Sequence, residues 1–386
     1  VDLLPLCLGD GDDPRRLLTP LHDALSGDGP AVAPHIDPSM EFAETLPNDD
    51  IAVVVCTSGS TGTPKQTMLT TEALGASSAA TAERLGFEGQ WLLALPVHFV
   101  AGLQVLVRSL YSGLPPAIDP SLTSGGFTPQ GFADAASELT DRRRLTSLVP
   151  TQLARLLDDP KQTALPALRR FDAILLGGAA TPARLRAQAA REGLNVIQTY
   201  GSAETAGGCV YDGTPLPGVE LDFHEGRIIL GGPTIASGYL GDPELTDRAF
   251  RSDGTTRWFR TADNGSVDDD GRLRVTGRID DVIITGGVKV SALAVREVLE
   301  EIPGVHSAFV TSLPDPEWGQ AVAAFVASPR PTAEVLAAAR ERLSGAMRPK
   351  LVLTAPHLPL LPNGKEDRVS MIRALHLASG ISAETA

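Results

Sequence analysis

The sequence is poor in cysteine and in positive charge, and it has no long unbroken apolar run. Its three cysteines, Cys7, Cys56 and Cys209, are odd in number and far apart. That excludes a disulfide framework and a zinc knuckle, and fits a reducing cytoplasm. Thirty-three Lys and Arg face 47 Asp and Glu, a net charge of −14, which argues against nucleic acid as a general partner. The most apolar stretch, Trp91 to Leu110, is interrupted by Pro96, His98, Gln104 and Arg108, so no membrane span is expected. Val1–Leu8 carries no basic leader, so no secretory signal is expected there. There is no internal repeat, no long low-complexity segment and no Walker A loop, which needs Ser or Thr directly after Gly-Lys.

What is present is a different phosphate-type loop. Thr57-Ser58-Gly59-Ser60-Thr61-Gly62-Thr63-Pro64-Lys65 follows the strand-like run Ile51–Val55. Hydroxyls and open backbone N–H groups can wrap polyphosphate oxygens, glycine lets the backbone approach, and lysine adds a point charge. Taken alone, such a cluster also reads as an ordinary Ser/Thr/Gly linker.

The length of 386 residues allows two domains or more. The first stretch, to about Asp50, reads as irregular with one helical piece at 15–26. Strands are predicted at 51–55, 91–95, 145–149, 173–176 and 195–199, with helices at 72–85 and from a Thr151 cap to 158. Strands alternating with helices predict an α/β fold with a largely parallel sheet, where ligands sit at the carboxyl ends of strands. From Arg227 the texture turns β-rich, with strands at 227–230, 258–261 and 272–276. A compact α+β tail follows, with strands at 282–285, 305–311 and 321–327 and helices at 292–302 and 332–343. The expected division is a large domain at 1–279 and a small mobile domain at 280–386, hinged at Asp280.

Four further motifs follow the loop in fixed order: Tyr200-Gly-Ser-Ala-Glu204-Thr205, Thr261-Ala262-Asp263, Gly277-Arg278-Ile279-Asp280-Asp281 and Leu361-Pro-Asn-Gly364-Lys365. This set, from about residue 51 to 370, resembles the adenylate-forming superfamily of acyl-CoA synthetases, adenylation domains and luciferases. The resemblance implies a two-step reaction. A carboxylate attacks the α-phosphate of ATP and expels pyrophosphate; a thiol, usually of CoA, then displaces AMP from the acyl-adenylate. It implies that Thr57, Ser58, Gly59, Ser60, Thr61, Gly62 and Lys65 hold the β- and γ-phosphates. Glu204 would bind Mg²⁺, Asp263 would accept hydrogen bonds from both ribose hydroxyls, and Arg278 would contact the ribose or phosphate. Gly177, Gly178, Tyr200 and Gly201 would flank the adenine, with Tyr200 stacking on it. Lys365 would serve adenylation, and Gly286 and Gly287 would line the path of CoA. No carrier segment with an attachment serine is read after Lys365, so the expected partners are a small carboxylic acid, ATP and CoA. Homo-oligomerisation stays open.

The chain departs from the family pattern at Ala203, where Thr or Ser is usual; Ser202 or Thr205 would have to replace that hydroxyl. It departs also at Gln66, Ala262, Ala294 and Arg296, the last two standing where acidic residues are common. The short region before the phosphate loop resembles the o-succinylbenzoate–CoA ligases of menaquinone synthesis. So do Leu95-Pro-Val-His98-Phe-Val-Ala-Gly102-Leu and Thr205-Ala-Gly-Gly208-Cys-Val-Tyr-Asp212-Gly. That likeness implies an acyl pocket with His98 and Gly208. Arg108, ten residues on from His98, is a candidate partner for a second carboxylate because arginine pairs with carboxylates bidentately, and it reads equally as a surface arginine. Two other readings stand beside it: another aryl- or short-chain acyl-CoA ligase, and a non-catalytic nucleotide-binding module.

Overall fold

A computed structural model describes residues 2–9, 11–43, 45–57, 64–124, 126–360 and 366–380. Its central sheet has seven strands in the order Thr214–Pro215, Gly207–Tyr211, Val196–Ser202, Ala173–Leu176, Arg144–Leu148, Gln90–Leu93, Ala117–Ile118. The five from Val196–Ser202 to Ala117–Ile118 run parallel. Gly207–Tyr211 folds back antiparallel on Val196–Ser202.

Alternate residues of these strands feed two cores, as a period of two requires. Leu93, Leu175 and Ile197 pack with Leu74, Leu103 and Leu106 from the helices Thr71–Leu85 and Val100–Ser112. Leu92, Ile174 and Leu176 pack on the other face with Phe132, Leu153 and Leu185. Helices on both faces explain why Gln90–Leu93, Ala117–Ile118 and Ala173–Leu176 are buried along their whole length.

A second sheet orders Leu3–Cys7, Ala31–His35, Ile51–Thr57, Lys65–Thr70 and Gly238–Tyr239. The region before Asp50, expected to be irregular, therefore supplies two strands that pair in parallel. Pro5 and Pro34 weaken their local signal, and only the pairing with Ile51–Thr57 makes them sheet. Ile51–Thr57 and Lys65–Thr70 are antiparallel, with Thr57 opposite Lys65. The phosphate-type loop is thus the connection of a hairpin. Its residues Ser58, Gly59, Ser60, Thr61, Gly62 and Thr63 lie outside the described residues, as do Gly364 and Lys365.

The third sheet holds the β-rich part: Glu220–His224, Arg227–Gly231, Arg257–Val267 and Phe250–Ser252, with Leu273–Arg278 also paired to Arg257–Val267. Beyond Asp280 lie a two-stranded hairpin, Val282–Thr285 with Val288–Ser291, and a three-stranded sheet, Ser307–Asp315, Gly319–Ala327 and Leu351–Ala355. The apolar clusters of residues 3–273 and 283–375 are separate among the described residues.

Several local expectations shift. Thr151 is not a cap: the helix is Pro150–Leu157, with Pro150 in its first turn and Gln152 Oε1 accepting from the Val149 N–H at 3.1 Å. The helix expected at 292–302 ends at Glu300, and Ile302 is buried beyond it. The strand expected at 305–311 is Ser307–Asp315. Among the helices that were not anticipated are Val100–Ser112, which is buried on every side from Gly102 to Ser109 and so lacks an amphipathic pattern, and Arg368–Ser379, where polar residues separate the buried Met371 and Leu375.

Candidate active site

The strand Val196–Ser202 leaves the carboxyl edge of the parallel sheet and turns through the 3₁₀ segment Ala203–Thr205 into Gly207–Tyr211. Close packing demands glycine along this turn. A Cβ on Gly201 would lie 2.1 Å from the Gly207 oxygen, one on Gly177 would lie 2.4 Å from Thr199 Oγ1, and one on Gly208 would lie 2.9 Å from Thr199 Cβ. Gly178 has φ +82°. These glycines bring the ends of two adjacent strands together, which leaves an open backbone edge on which a flat base can lie.

Two carboxylates are each fixed by a tyrosine. Tyr200 donates to Asp263 Oδ2 at 2.7 Å. Burial and the Asp263 charge push the Tyr200 phenol well above its ordinary value, so it remains a donor. Arg278 approaches Asp263 Oδ1 at 3.6 Å and donates to Asp280 Oδ2 at 3.1 Å. Tyr200 therefore aims the carboxylate as well as lying beside the glycines; from sequence its expected role is stacking alone, without this hydrogen bond.

The second pair was missed altogether. Tyr239 donates to Glu204 Oε1 at 2.8 Å, and burial followed by the Glu204 charge raises its phenol in the same way. The Lys65 ammonium stands 5.3 Å from the centre of the Tyr239 ring. Tyr239 reaches this place because Gly238–Tyr239 pairs with Lys65–Thr70, with Tyr239 opposite Thr67. Arg257 supports the approach by donating through Nε to the Ala236 carbonyl at 2.7 Å and through Nη2 to that of Ser237. The Ala236 N–H in turn donates to the Glu204 carbonyl at 2.9 Å. Gly238-Tyr239 was the available sequence signal, but a Gly-Tyr pair is too common to read alone.

The missing hydroxyl at Ala203 has a structural answer. Thr205 Oγ1 is occupied by backbone: it donates to the Gly207 carbonyl at 2.7 Å and accepts from the Ser202 N–H at 2.9 Å. Ser202 Oγ is buried with no hydrogen-bond partner among the described residues. A buried hydroxyl without a partner is costly, so a ligand oxygen at this position is a physical fit. Among the described residues no three acidic, histidine or cysteine side chains converge to cage a metal. Magnesium needs no such cage, since one carboxylate together with substrate phosphates suffices. Glu204, at the end of the strand and without an ion-pair partner among the described residues, fits that donor set.

His98 lies half-buried at the entrance to the helix Val100–Ser112, its ring 4.2 Å from that of Phe99. Gly102 closes this entrance: a Cβ there would lie 2.3 Å from the Pro96 oxygen. Gln104, on the same helix, donates to the Ala206 carbonyl at 2.7 Å and links the helix to the Gly207–Gly208 segment. Arg108 is set apart from this group. It is buried two helical turns further on, stacks on Trp91 at 5.1 Å and donates to Thr81 Oγ1 at 3.1 Å. The geometry gives Arg108 a packing role and does not place it beside His98. Gly286 and Gly287 form the tight turn of the Val282–Ser291 hairpin, both at positive φ, with Ile284 and Val288 exposed beside them.

A family model described as AMP-binding enzyme matches residues 12–240, more than half of the chain, and one described as AMP-binding enzyme C-terminal domain matches 295–365. The chain belongs to the AMP-binding enzyme family. Among curated members, a probable 2-succinylbenzoate–CoA ligase of Mycobacterium tuberculosis H37Rv is 41% identical over 94% of this chain and 92% of its own length. The 2-succinylbenzoate–CoA ligase of Geobacillus kaustophilus is 33% identical, over 88% and 73%. Among solved members, the o-succinylbenzoate CoA synthetase of Bacillus subtilis, in complex with its acyl-adenylate, superposes with a TM-score of 0.76. It is 22% identical and covers 96% of this chain and 88% of its own, a likeness of fold. The family's large and small domains are both represented in this chain. No described helix is long and apolar enough to cross a membrane.

Proposed function

We propose that the chain is an AMP-forming acid–CoA ligase that activates o-succinylbenzoate and passes the acyl group to CoA. The observation that carries the reaction class is the pair of tyrosine-held carboxylates, Asp263 and Glu204, at the carboxyl edge of the parallel sheet beside a Ser202 hydroxyl that has no partner among the described residues. The choice of acid rests on the Mycobacterium and Geobacillus relatives and on the likeness of the segments 95–103 and 205–213 to those ligases.

In this reading Asp263 accepts from the ribose hydroxyls while Tyr200 and Arg278 hold its orientation. Gly177, Gly178, Tyr200 and Gly201 border the adenine. The hairpin loop from Thr57 to Lys65 and the Ser202 hydroxyl contact phosphate oxygens. Glu204 holds Mg²⁺, whose charge offsets that gathering on the phosphates. Lys365 approaches the carboxylate and α-phosphate in the first half-reaction. The region from Asp280 onward moves as a unit, and its Gly286-Gly287 turn borders the pantetheine chain in the second half-reaction. Separate apolar clusters on either side of Asp280 support that boundary. We place the enzyme in a reducing cytoplasm, in keeping with three free thiols; burial pushes Cys56 up to about 11 and Cys209 up to about 12, so neither serves as a nucleophile.

The test is pyrophosphate release from ATP and Mg²⁺ across a panel of carboxylic acids, with and without CoA. Release confined to o-succinylbenzoate, with a thioester formed on adding CoA, is expected. Equal turnover of benzoates or short fatty acids would move the assignment to a broader acyl-CoA ligase. No release with any acid, despite ATP binding, would favour a non-catalytic module.

A further inference from the structure

An ion triad is enclosed where the small domain's first long helix, Ala292–Glu300, meets the segment before Arg368–Ser379. Arg296 donates to Glu300 Oε1 at 2.8 Å and lies 2.9 Å from Glu366 Oε1. The side chains are only 15%, 10% and 19% exposed, respectively. Glu300 is itself tied to the neighbouring strand by the Ala308 N–H at 3.0 Å. Enclosing two carboxylates and one guanidinium costs desolvation that an apolar trio would not, so stability alone is a poor reason for it.

Its place in the chain supplies a better one. Glu366 directly follows Lys365. Leu360 and Glu366 form an antiparallel bridge, and the Asp367 N–H donates to the Pro359 carbonyl at 2.9 Å. The described residues on both sides of 361–365 are thus fastened to one another. A peptide bond keeps adjacent Cα atoms about 3.8 Å apart, so whatever holds Glu366 constrains where Lys365 starts. Arg368 continues the anchoring by pairing with Asp281, next to the hinge position.

We propose that Arg296 is a positioning residue for adenylation: by gripping Glu366 against Glu300 it sets the root of the segment that carries Lys365. This rests on the reading of Lys365 as the adenylation lysine. It also gives a reason for arginine where the family commonly has an acid. Arg296 touches no substrate and acts only through the neighbouring residue.

The test uses Glu366→Gln, Arg296→Lys, Arg296→Leu and Lys365→Ala in the full chain. Each is assayed for pyrophosphate release and, separately, for thioester formation from supplied acyl-adenylate and CoA, with Tm as a control for folding. Misplacement of a reacting group by about 1 Å costs on the order of 100-fold, so a fall of about 10- to 100-fold in adenylation kcat is expected for Glu366→Gln and Arg296→Leu. KM for ATP and the second half-reaction should stay within about twofold of wild type, by the same logic that only the lysine's placement has changed. Arg296→Lys should retain more activity than Arg296→Leu, because it keeps the charge but loses the fork. Glu366→Gln keeps size and shape, so it reports even if Arg296→Leu fails to fold. Unchanged adenylation in Glu366→Gln and Arg296→Lys, with adenylation lost in Lys365→Ala, would overturn the positioning role alone. A parallel fall of both half-reactions would overturn it too, as a merely structural effect. Retained adenylation in Lys365→Ala would instead overturn the lysine assignment on which the proposal stands.

Discussion

Tyr200→Phe removes one oxygen and tests how the nucleotide end of the site is organised. The lost bond is a 2.7 Å donation to Asp263 Oδ2, whose side chain is 20% exposed. Hydrogen bonds to charged groups contribute about 1.5–3 kcal/mol. Arg278 remains 3.6 Å from the other carboxylate oxygen, so Asp263 keeps a cation beside it and the lower half of that range applies. At about 1.4 kcal/mol per tenfold, kcat/KM for ATP should fall roughly 10- to 40-fold, with KM for the acid and for CoA unchanged. The decisive assay compares ATP with 2′-deoxy-ATP in both proteins. If Asp263 receives the ribose hydroxyls, the wild type should discriminate against the deoxynucleotide, and the variant should discriminate less because its carboxylate is no longer aimed. The two changes should be non-additive, as expected of groups in one hydrogen-bond network. Identical discrimination in both proteins, with kcat/KM for ATP unchanged, would refute the reasoning.

Further outcomes follow from the same geometry. Ser202→Ala should slow pyrophosphate release about tenfold, by loss of a hydroxyl contact worth about 1 kcal/mol or more, with little effect on Tm; a drop in Tm with full activity would show the hydroxyl to be structural. Thr205→Val should do the reverse, lowering Tm first, since its hydroxyl bonds the backbone of Ser202 and Gly207 within the turn. Gly201→Ala should destabilise the chain by about 1–3 kcal/mol, because the new Cβ would meet the Gly207 carbonyl at 2.1 Å and the strand pair must open; an unchanged Tm would contradict that packing. The phenols of Tyr200 and Tyr239 lie above their free value of 10.0 in the folded chain, so the fold favours their protonated forms. Stability from this source is fully present below about pH 10 and is lost as the pH rises above it. Tm scans through that range should fall less steeply in Tyr200→Phe and Tyr239→Phe than in the wild type.

The sequence by itself determined the class of fold, because short apolar runs alternating with helices admit few packings other than a parallel sheet covered on both faces. It also determined the order of the chemical motifs, since Lys65, Glu204, Asp263, Arg278 and Lys365 each sit in a local pattern with its own turn residues. Tertiary structure decided which side chains meet. Tyr239 joins Glu204 only because a two-residue strand far along the chain pairs with Lys65–Thr70. Arg108 belongs to the packing around Trp91 because helical rise carries it away from His98. Thr205 is removed as a phosphate contact, and Ser202 left available, by the hydrogen bonds of one tight turn. The strands before Asp50 form for a similar reason: their prolines hide them locally, and neighbouring strands supply the ladder they need. Periodicity and turn chemistry are local and survive in a linear sequence, whereas hydrogen-bond partnership depends on distances that only the folded chain sets.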